Sequence, residues 1–283
     1  MQFQTFPIEA ALRSYLVRIW AFRGVLPLGD LRLIAPSGEM KLILPFHGAP
    51  TSTTRGISYR HTESSCSIVG QLTSPSTISA VGAIGMLGVT FKPAGARCFL
   101  GLPLAEIAES IVSSGDLPGS DWDDLASRVA ETAAITTKVR KVQEFLIRSL
   151  QRGDVDHRAL DLAVREIELS RGVIRIHDLS DRVGWTRRHL DREFSERVGL
   201  SPKSFANIVR FQRLYALGLV SGDWPRSLDE LYESYYDQAH FIRQFERFTG
   251  YAPGAFRGRQ NAFGRLFLSP RSVPILQYAS PDD

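Results

Sequence analysis

The chain predicts an α+β fold in two parts, a β-rich, barrel-like N-terminal domain with helices and an all-α C-terminal domain. Three observations predict it. Over the first hundred residues apolar and polar side chains alternate in short runs broken by Gly, Pro and Ser, as antiparallel strands require. After Phe91 the apolar spacing changes to that of helices. Between residues 189 and 256 a set of residues recurs at a fixed offset, which marks a duplicated helical unit. The expected division is a β-rich domain at 1–151, a linker at 152–172, a helical domain at 173–262 and a tail at 263–283.

With 283 residues the chain can build two cores. Its 43% apolar and 23% charged content is that of a globular protein. No apolar run reaches 18 residues, and the start, MQFQTFPIEAALRSYL, lacks a basic segment followed by an apolar one. No membrane partner is therefore expected, and the expected location is cytoplasmic. Cys66 and Cys98 have no CxxC spacing, which fits two buried thiols in a reducing compartment. A net charge of +4 permits nucleic acid as a partner without requiring it.

In the β-rich part, SYLVRIWAF (14–22), LRLIAP, MKLILPF and STISAVGAIGMLGVTF (76–91) read as strands of a sheet or small barrel. Beyond them, Leu104, Ala108, Ile111 and Val112 share a helical face, with Pro103 near its start. SDWDDLASRVAE (120–131) opens with Ser120 and Asp123 spaced as a capping box and carries Leu125, Val129 and Ala133. In 137–150, Val139, Val142 and Leu146 form a stripe, ordinarily core, with a dimer contact as the alternative. A polar break at 151–158 precedes ALDLAVREIELS, a short helix ending at Gly172.

The repeat decides the reading. His189, Arg192, Phe194, Gly199, Pro202 and Phe205 return 51 residues later as His240, Arg243, Phe245, Gly250, Pro253 and Phe256. In the first unit HDLSDRVG (177–184) is a short helix closed by Gly184 at a left-handed position. Thr186 caps a second helix whose Leu190, Phe194 and Val198 face inward. Arg187, Arg188, Asp191 and Arg192 then lie outward near its start. This is a helix-turn-helix, whose second helix sets its first residues against base edges in the major groove. An Arg fork meets O6 and N7 of guanine together.

In the second unit YYDQAHFIRQFERFTG (235–250) turns Phe241 and Phe245 inward and leaves Asp237, Gln238, Ala239, His240, Ile242 and Arg243 nearer the surface. Gln suits adenine, Asp cytosine, and Ala or Ile a thymine methyl. SPKSFANIVRFQRLYALGLV (201–220) reads as one helix between the units, with Phe205, Ile208, Val209, Leu214 and Leu217 as core. Two readers on one face of DNA would sit roughly 34 Å apart. The second unit departs from the first in one respect. Ser234 stands in the place of Gly184, three steps after Leu231 where the first unit has five steps after Leu179.

The stretches LS..VGWT.RHL..EF....GLSPK.F...VRFQR and YYDQAHFIRQFERFTGYAPGAFR resemble the C-terminal domain of AraC/XylS-type bacterial transcription regulators, over 173–262. APSGEMKLILPFHG (35–48) and GVTFKPAGARCFLGLPLAEIAES (88–110) resemble the β-rich domain of one branch of that family. The resemblance implies sequence-specific binding of promoter or operator double-stranded DNA by reading helices at 186–198 and 237–249. It also implies an N-terminal domain that senses a small-molecule effector or forms a homodimer, and contact with RNA polymerase if the protein activates. The alternative is a ligand- or protein-binding module of the same fold, its DNA recognition impaired by the shortened second unit.

No enzyme is expected. Neither His47 nor His61 has a second ligand at HxH spacing, so no metal or cofactor is assigned. The glycine-rich stretches lack GK[ST], and no nucleophile–base pair stands out, so no catalytic residue is assigned. Residues 172–262 hold 14 basic and 11 acidic side chains, so binding must rest on well-placed arginines more than on a broad field.

Overall fold

The computed structural model describes residues 1–63, 65–118, 121–150, 158–221, 238–256, 264 and 266–268. The N-terminal part is two antiparallel sheets. Strands β1 (Gln2–Phe6), β2 (Leu16–Leu26), β4 (Lys41–His47), β7 (Ser67–Val69), β9 (Gly82–Phe91) and β10 (Ile111–Ser113) form one, in the order β1-β2-β9-β4-β7-β10. Strands β3 (Arg32–Ile34), β5 (Thr51–Thr54), β6 (Ile57–Arg60) and β8 (Ser76–Ser79) form the other, in the order β3-β8-β5-β6. The domain is β-rich as expected, but the sheets do not close into a barrel. The last strand, β10, returns along β7 at the edge of its own sheet and does not bridge to the second.

Alternation sorts the side chains of the six-stranded sheet onto two faces. Trp20, Phe22, Ile43 and Met86 point toward the four-stranded sheet, where they meet Ile78. Trp20 is fully buried because Gly88, directly opposite on β9, leaves room for its indole; a Cβ there would stand 2.1 Å from the ring. Its N–H donates to Thr90 Oγ1 at 3.1 Å, as a buried indole requires. The other face carries Ala21, Leu42, Leu87 and Val89 against α1 (Arg97–Leu100), α2 (Trp122–Glu131) and α3 (Ile135–Ser149). The stripe Val139, Val142 and Leu146 on α3 is spent there, as core.

Two expectations are corrected. The run 76–91 is two strands, because Gly82 at φ 87° turns the chain from one sheet to the other. Leu104, Ala108, Ile111 and Val112 do not share a helix. A 3₁₀ turn covers only Leu104–Ile107; Ala108 is extended and Glu109 sits at φ 59°. The backbone then bonds to β7, with Glu109 N donating to Gln71 O and Gly70 N to Ser110 O. Helical spacing was present, but the strand partner captured the amides. Ala133 lies past the end of α2, and Ser120 falls outside the described residues.

The helical part comprises α4 (Arg158–Leu169), α5 (Ile176–Val183), α6 (Arg187–Arg197), α7 (Pro202–Ser221), α8 (Gln238–Thr249) and α9 (Pro253–Phe256). α4 falls in the segment read as a linker, yet Leu160, Ala163, Val164 and Ile167 belong to the helical core. Gly172 lets α4 turn into α5 hard against α7. It sits at φ 74°, a Cβ would stand 2.1 Å from Ala206 O, and its carbonyl accepts from Arg210 Nη2 at 2.6 Å.

Two stability measurements follow from these contacts. Gly172→Ala combines a left-handed L residue with a clash against the α7 backbone, so urea unfolding is expected to show a loss of about 2–4 kcal/mol. His61 is buried, its ring nitrogens 2.8 Å from Ser52 Oγ and 2.9 Å from Ser67 Oγ, and burial pushes its pKa down to about 4. Between pH 6.5 and 4 the unfolded chain therefore binds the proton that the folded state refuses. Stability should be full above pH 6.5 and fall by up to about 3 kcal/mol as pH drops to 4. The acid-side slope should shrink in His61→Gln.

Candidate nucleic-acid interface

The first unit is built around one turn. α5 ends at Gly184, φ 69°, whose N–H donates to Asp181 O, while Trp185 N–H reaches back to Ser180 O at 3.0 Å. Thr186 is extended, and its Oγ1 accepts from His189 N–H at 3.2 Å, satisfying one free donor at the start of α6. Leu179, Leu190, Phe194 and Val198 are all 0% exposed, so the inner face of the unit is rigidly seated. With that face fixed, Thr186, Arg187, Arg188, Asp191 and Arg192 are all exposed on the outer side, as the spacing predicted.

These side chains are not equivalent. Arg187 Nε stands 4.0 Å from Asp191 Oδ2, with both side chains largely exposed, so water and salt leave that pair weak. Arg192 Nη2 donates to His189 Nδ1 at 2.8 Å, which makes Nδ1 an acceptor and puts the proton of the neutral ring on Nε2. His189 in turn stands edge-on to Trp185 at 4.6 Å. Arg192 also lies 3.4 Å from Glu193 Oε1, and Glu193 Oε2 takes Arg197 Nε at 3.0 Å. Arg188 makes no hydrogen bond or ion pair with any described residue. The face thus offers one fully available guanidinium, one loosely held and one aimed by its neighbours.

In the second unit Phe241, Phe245 and Phe248 of α8 are buried and pack with Phe211 of α7 and Phe256 of α9. Thr249 Oγ1 donates to Phe245 O at 2.8 Å, and Gly250, φ 78°, closes the helix. Ala239 and Arg243 are exposed, and Arg243 makes no hydrogen bond or ion pair with any described residue. His240 is half-buried, its Nε2 3.3 Å from Gln244 Nε2. Ile242, expected near the surface, is partly buried against the core, because it flanks the Phe241 side of the stripe. Asp237, the Leu228–Ser234 stretch and the shortened first helix lie outside the described residues, as do the side chains of Gln238 and Leu217.

Spacing arguments missed how the reading units meet the β-rich part. The amide of Gln212, 0% exposed, donates to Pro36 O, and Arg247 Nη2 donates to Thr73 Oγ1 at 2.9 Å. Gly199, φ 82°, backs onto the 3₁₀ turn, where a Cβ would stand 2.9 Å from Leu104 O. Leu33, Ala35 and Ala94 belong to the helical core. The one signal in the sequence was a glutamine in the middle of an apolar helix.

Residues 179–259 match the family described as a helix-turn-helix domain, and residues 4–113 match a domain of unknown function, DUF6597. Among curated relatives, uncharacterized HTH-type transcriptional regulators of Staphylococcus aureus strains MSSA476 and MRSA252 are each 31% identical over 87 residues, 31% of this chain. The chain spans 12% of the length of these relatives. Among solved structures, ToxT from Vibrio cholerae is 14% identical at a TM-score of 0.44, covering 90% of this chain and 98% of that one. ToxT from strain SCE256 with an unsaturated fatty acid bound is 14% identical at 0.46, covering 87% and 97%. The AraC-like transcriptional activator CuxR is 16% identical at 0.29, covering 74% and 81%. No helix among the described residues is long and apolar enough to cross a membrane.

The cap on α6 is directly testable. Thr186→Ala leaves the His189 amide unsatisfied, so urea unfolding should show a loss of about 1 kcal/mol, and Thr186→Ser should recover most of it.

Proposed function

We propose that this chain is an AraC-type transcription regulator that reads double-stranded DNA with α6 and α8 and couples that reading to the state of its β-rich domain. The observation that carries the proposal is the outer face of α6. Arg187, Arg188 and Arg192 stand exposed on a helix whose other side is anchored by three wholly buried residues. A recognition helix needs this combination of fixed seat and free donors, since misplacing the fork forfeits the bidentate bond.

In this reading Arg188 and Arg187 address guanine edges, and Thr186 and the helix start meet a phosphate. Arg192, oriented by His189, contacts the backbone. Asp191 sets a local negative charge that disfavours a phosphate at its position. In the second unit Ala239, His240 and Arg243 face the neighbouring groove, together with Asp237 and Gln238. A homodimer would set two such modules on paired half-sites, and an activating protein would also meet RNA polymerase. The cytoplasm is the compartment where such a regulator works.

The regulatory half rests on the contacts across α7. An effector would have to open the space between the two sheets, about 60 Å³ as it stands and walled by Trp20, Ile43, Met86 and Phe267. There the Lys41 ammonium, which burial lowers to a pKa of about 8, donates to Ser37 Oγ at 2.9 Å and Glu39 O at 3.3 Å. The adjoining residues Leu33 and Ala35 and the Pro36 carbonyl touch the helical part, so an occupied cavity shifts the population of reading-competent arrangements.

The test is a selection of DNA fragments by the purified protein, followed by anisotropy titrations of an enriched fragment across salt concentrations. Arg188→Ala should cost about tenfold to a hundredfold on the enriched fragment and much less on random DNA. A protein that enriches no sequence at any salt concentration would sink the reading.

A further inference from the structure

The helical layer over the six-stranded sheet stops short of one end. α2 ends at Glu131 and α3 begins at Ile135, and beyond them lies a cleft of about 670 Å³. That size lies within the range of small-molecule sites, roughly 300–1,000 Å³. Nothing in the proposed reading of DNA uses it, and it lies on the opposite face of the sheet from the inter-sheet cavity.

Its floor is set by strand register. Arg23 of β2, Gly85 of β9 and His47 of β4 are directly paired across three neighbouring strands and so share one face. Gly85 leaves a gap in that row, which the Phe46 ring fills; a Cβ there would lie 2.3 Å from Phe46 Cε2. The Phe46 ring therefore lies flat on the sheet here and forms an aromatic floor between Arg23 and Lys138. Gly85 is needed there because the Phe46 ring approaches the backbone closely.

The walls are cationic. The Arg23 guanidinium carbon lies 5.2 Å from the Phe46 centroid and Lys138 Nζ lies 4.9 Å from it. Arg23 is exposed, and neither it nor His47 makes a side-chain hydrogen bond or ion pair with any described residue. Lys138, 2% exposed, donates to the carbonyls of Val129 and Ala130 at the end of α2, which leaves one N–H of its three. Burial and then the Arg23 charge hold its pKa below the usual lysine value, with Lys141 adding to the effect and Glu63 opposing it. Glu63 already accepts from Gly48 N–H at 2.9 Å. Arg23 and Lys138 thus stand near one engaged carboxylate, an excess of positive charge that a bound anion would relieve.

We propose that this cleft binds a small organic dianion with a flat apolar portion. Its charged end sits among Arg23, Lys138 and His47, and its flat part lies against the Phe46 ring. The charged end is a phosphate monoester or a pair of carboxylates, and the experiment separates the two sources.

Isothermal titration of the full chain at low salt is carried out with phenyl phosphate and with phthalate, and with phenol and inorganic phosphate as controls. One of the two dianions should bind with one-to-one stoichiometry, and phenol and inorganic phosphate at least about tenfold more weakly. Arg23→Gln, on an exposed side chain, should weaken binding about tenfold or more, and His47→Gln by a smaller factor, with unchanged circular dichroism. The proposal is overturned if neither dianion binds, if inorganic phosphate binds as well as phenyl phosphate, or if Arg23→Gln leaves the affinity unchanged. None of these outcomes depends on DNA recognition.

Discussion

A single helix, buried along most of its length from Phe205 to Ala216, organises the protein. From Phe205 to Tyr215, α7 places Phe205, Ile208, Val209, Phe211, Leu214 and Tyr215 in the helical core. In the midst of this apolar surface sits Gln212, and a buried amide without a partner costs about 1–3 kcal/mol. Its donor finds the carbonyl of Pro36, 176 residues away. Because α6 and α8 both pack on α7, the positions of the two reading helices and of the β-rich domain are referred to the same rod. A change in the 33–37 segment therefore reaches both readers at once.

The two units solve the same folding problem with different means. The first seats α6 on aliphatic residues and one phenylalanine and relies on a capped, glycine-closed turn to aim it. The second seats α8 on clustered aromatic rings, Phe211, Phe241, Phe245, Phe248 and Phe256, which bury more area per residue. On the reading face of α6 the Arg187–Asp191 pair is exposed and weak, so its charges serve recognition more than stability.

Local rules were legible in the sequence wherever one residue type has one structural use. Gly184 and Thr186 announced the turn and the cap, and Leu190, Phe194 and Val198 announced the inner face, because period and capping act within a few residues. Long-range pairing was not legible. Nothing local distinguishes the stretch around Ile111 from a helix; the amides of β7 decided it. The same holds for the number of sheets, since closure depends on where the last strand finds a partner. The cluster at Phe46 was equally hidden, because Arg23, His47 and Lys138 meet only through register and layer packing.

The three residues 266–268 divide their side chains between the two halves of the molecule. Phe267 stands edge-on to Trp20 at 5.2 Å between the sheets, while Leu268, 3% exposed, belongs to the helical core. Dissection of this protein is thereby constrained. A fragment starting near residue 173 would lose α4 and the 33–35 patch and expose the apolar surface of α7. A fragment ending near 151 would open the seat of Phe267 beside Trp20. Biochemistry on separated halves would report on two damaged surfaces, so the two halves are best studied joined.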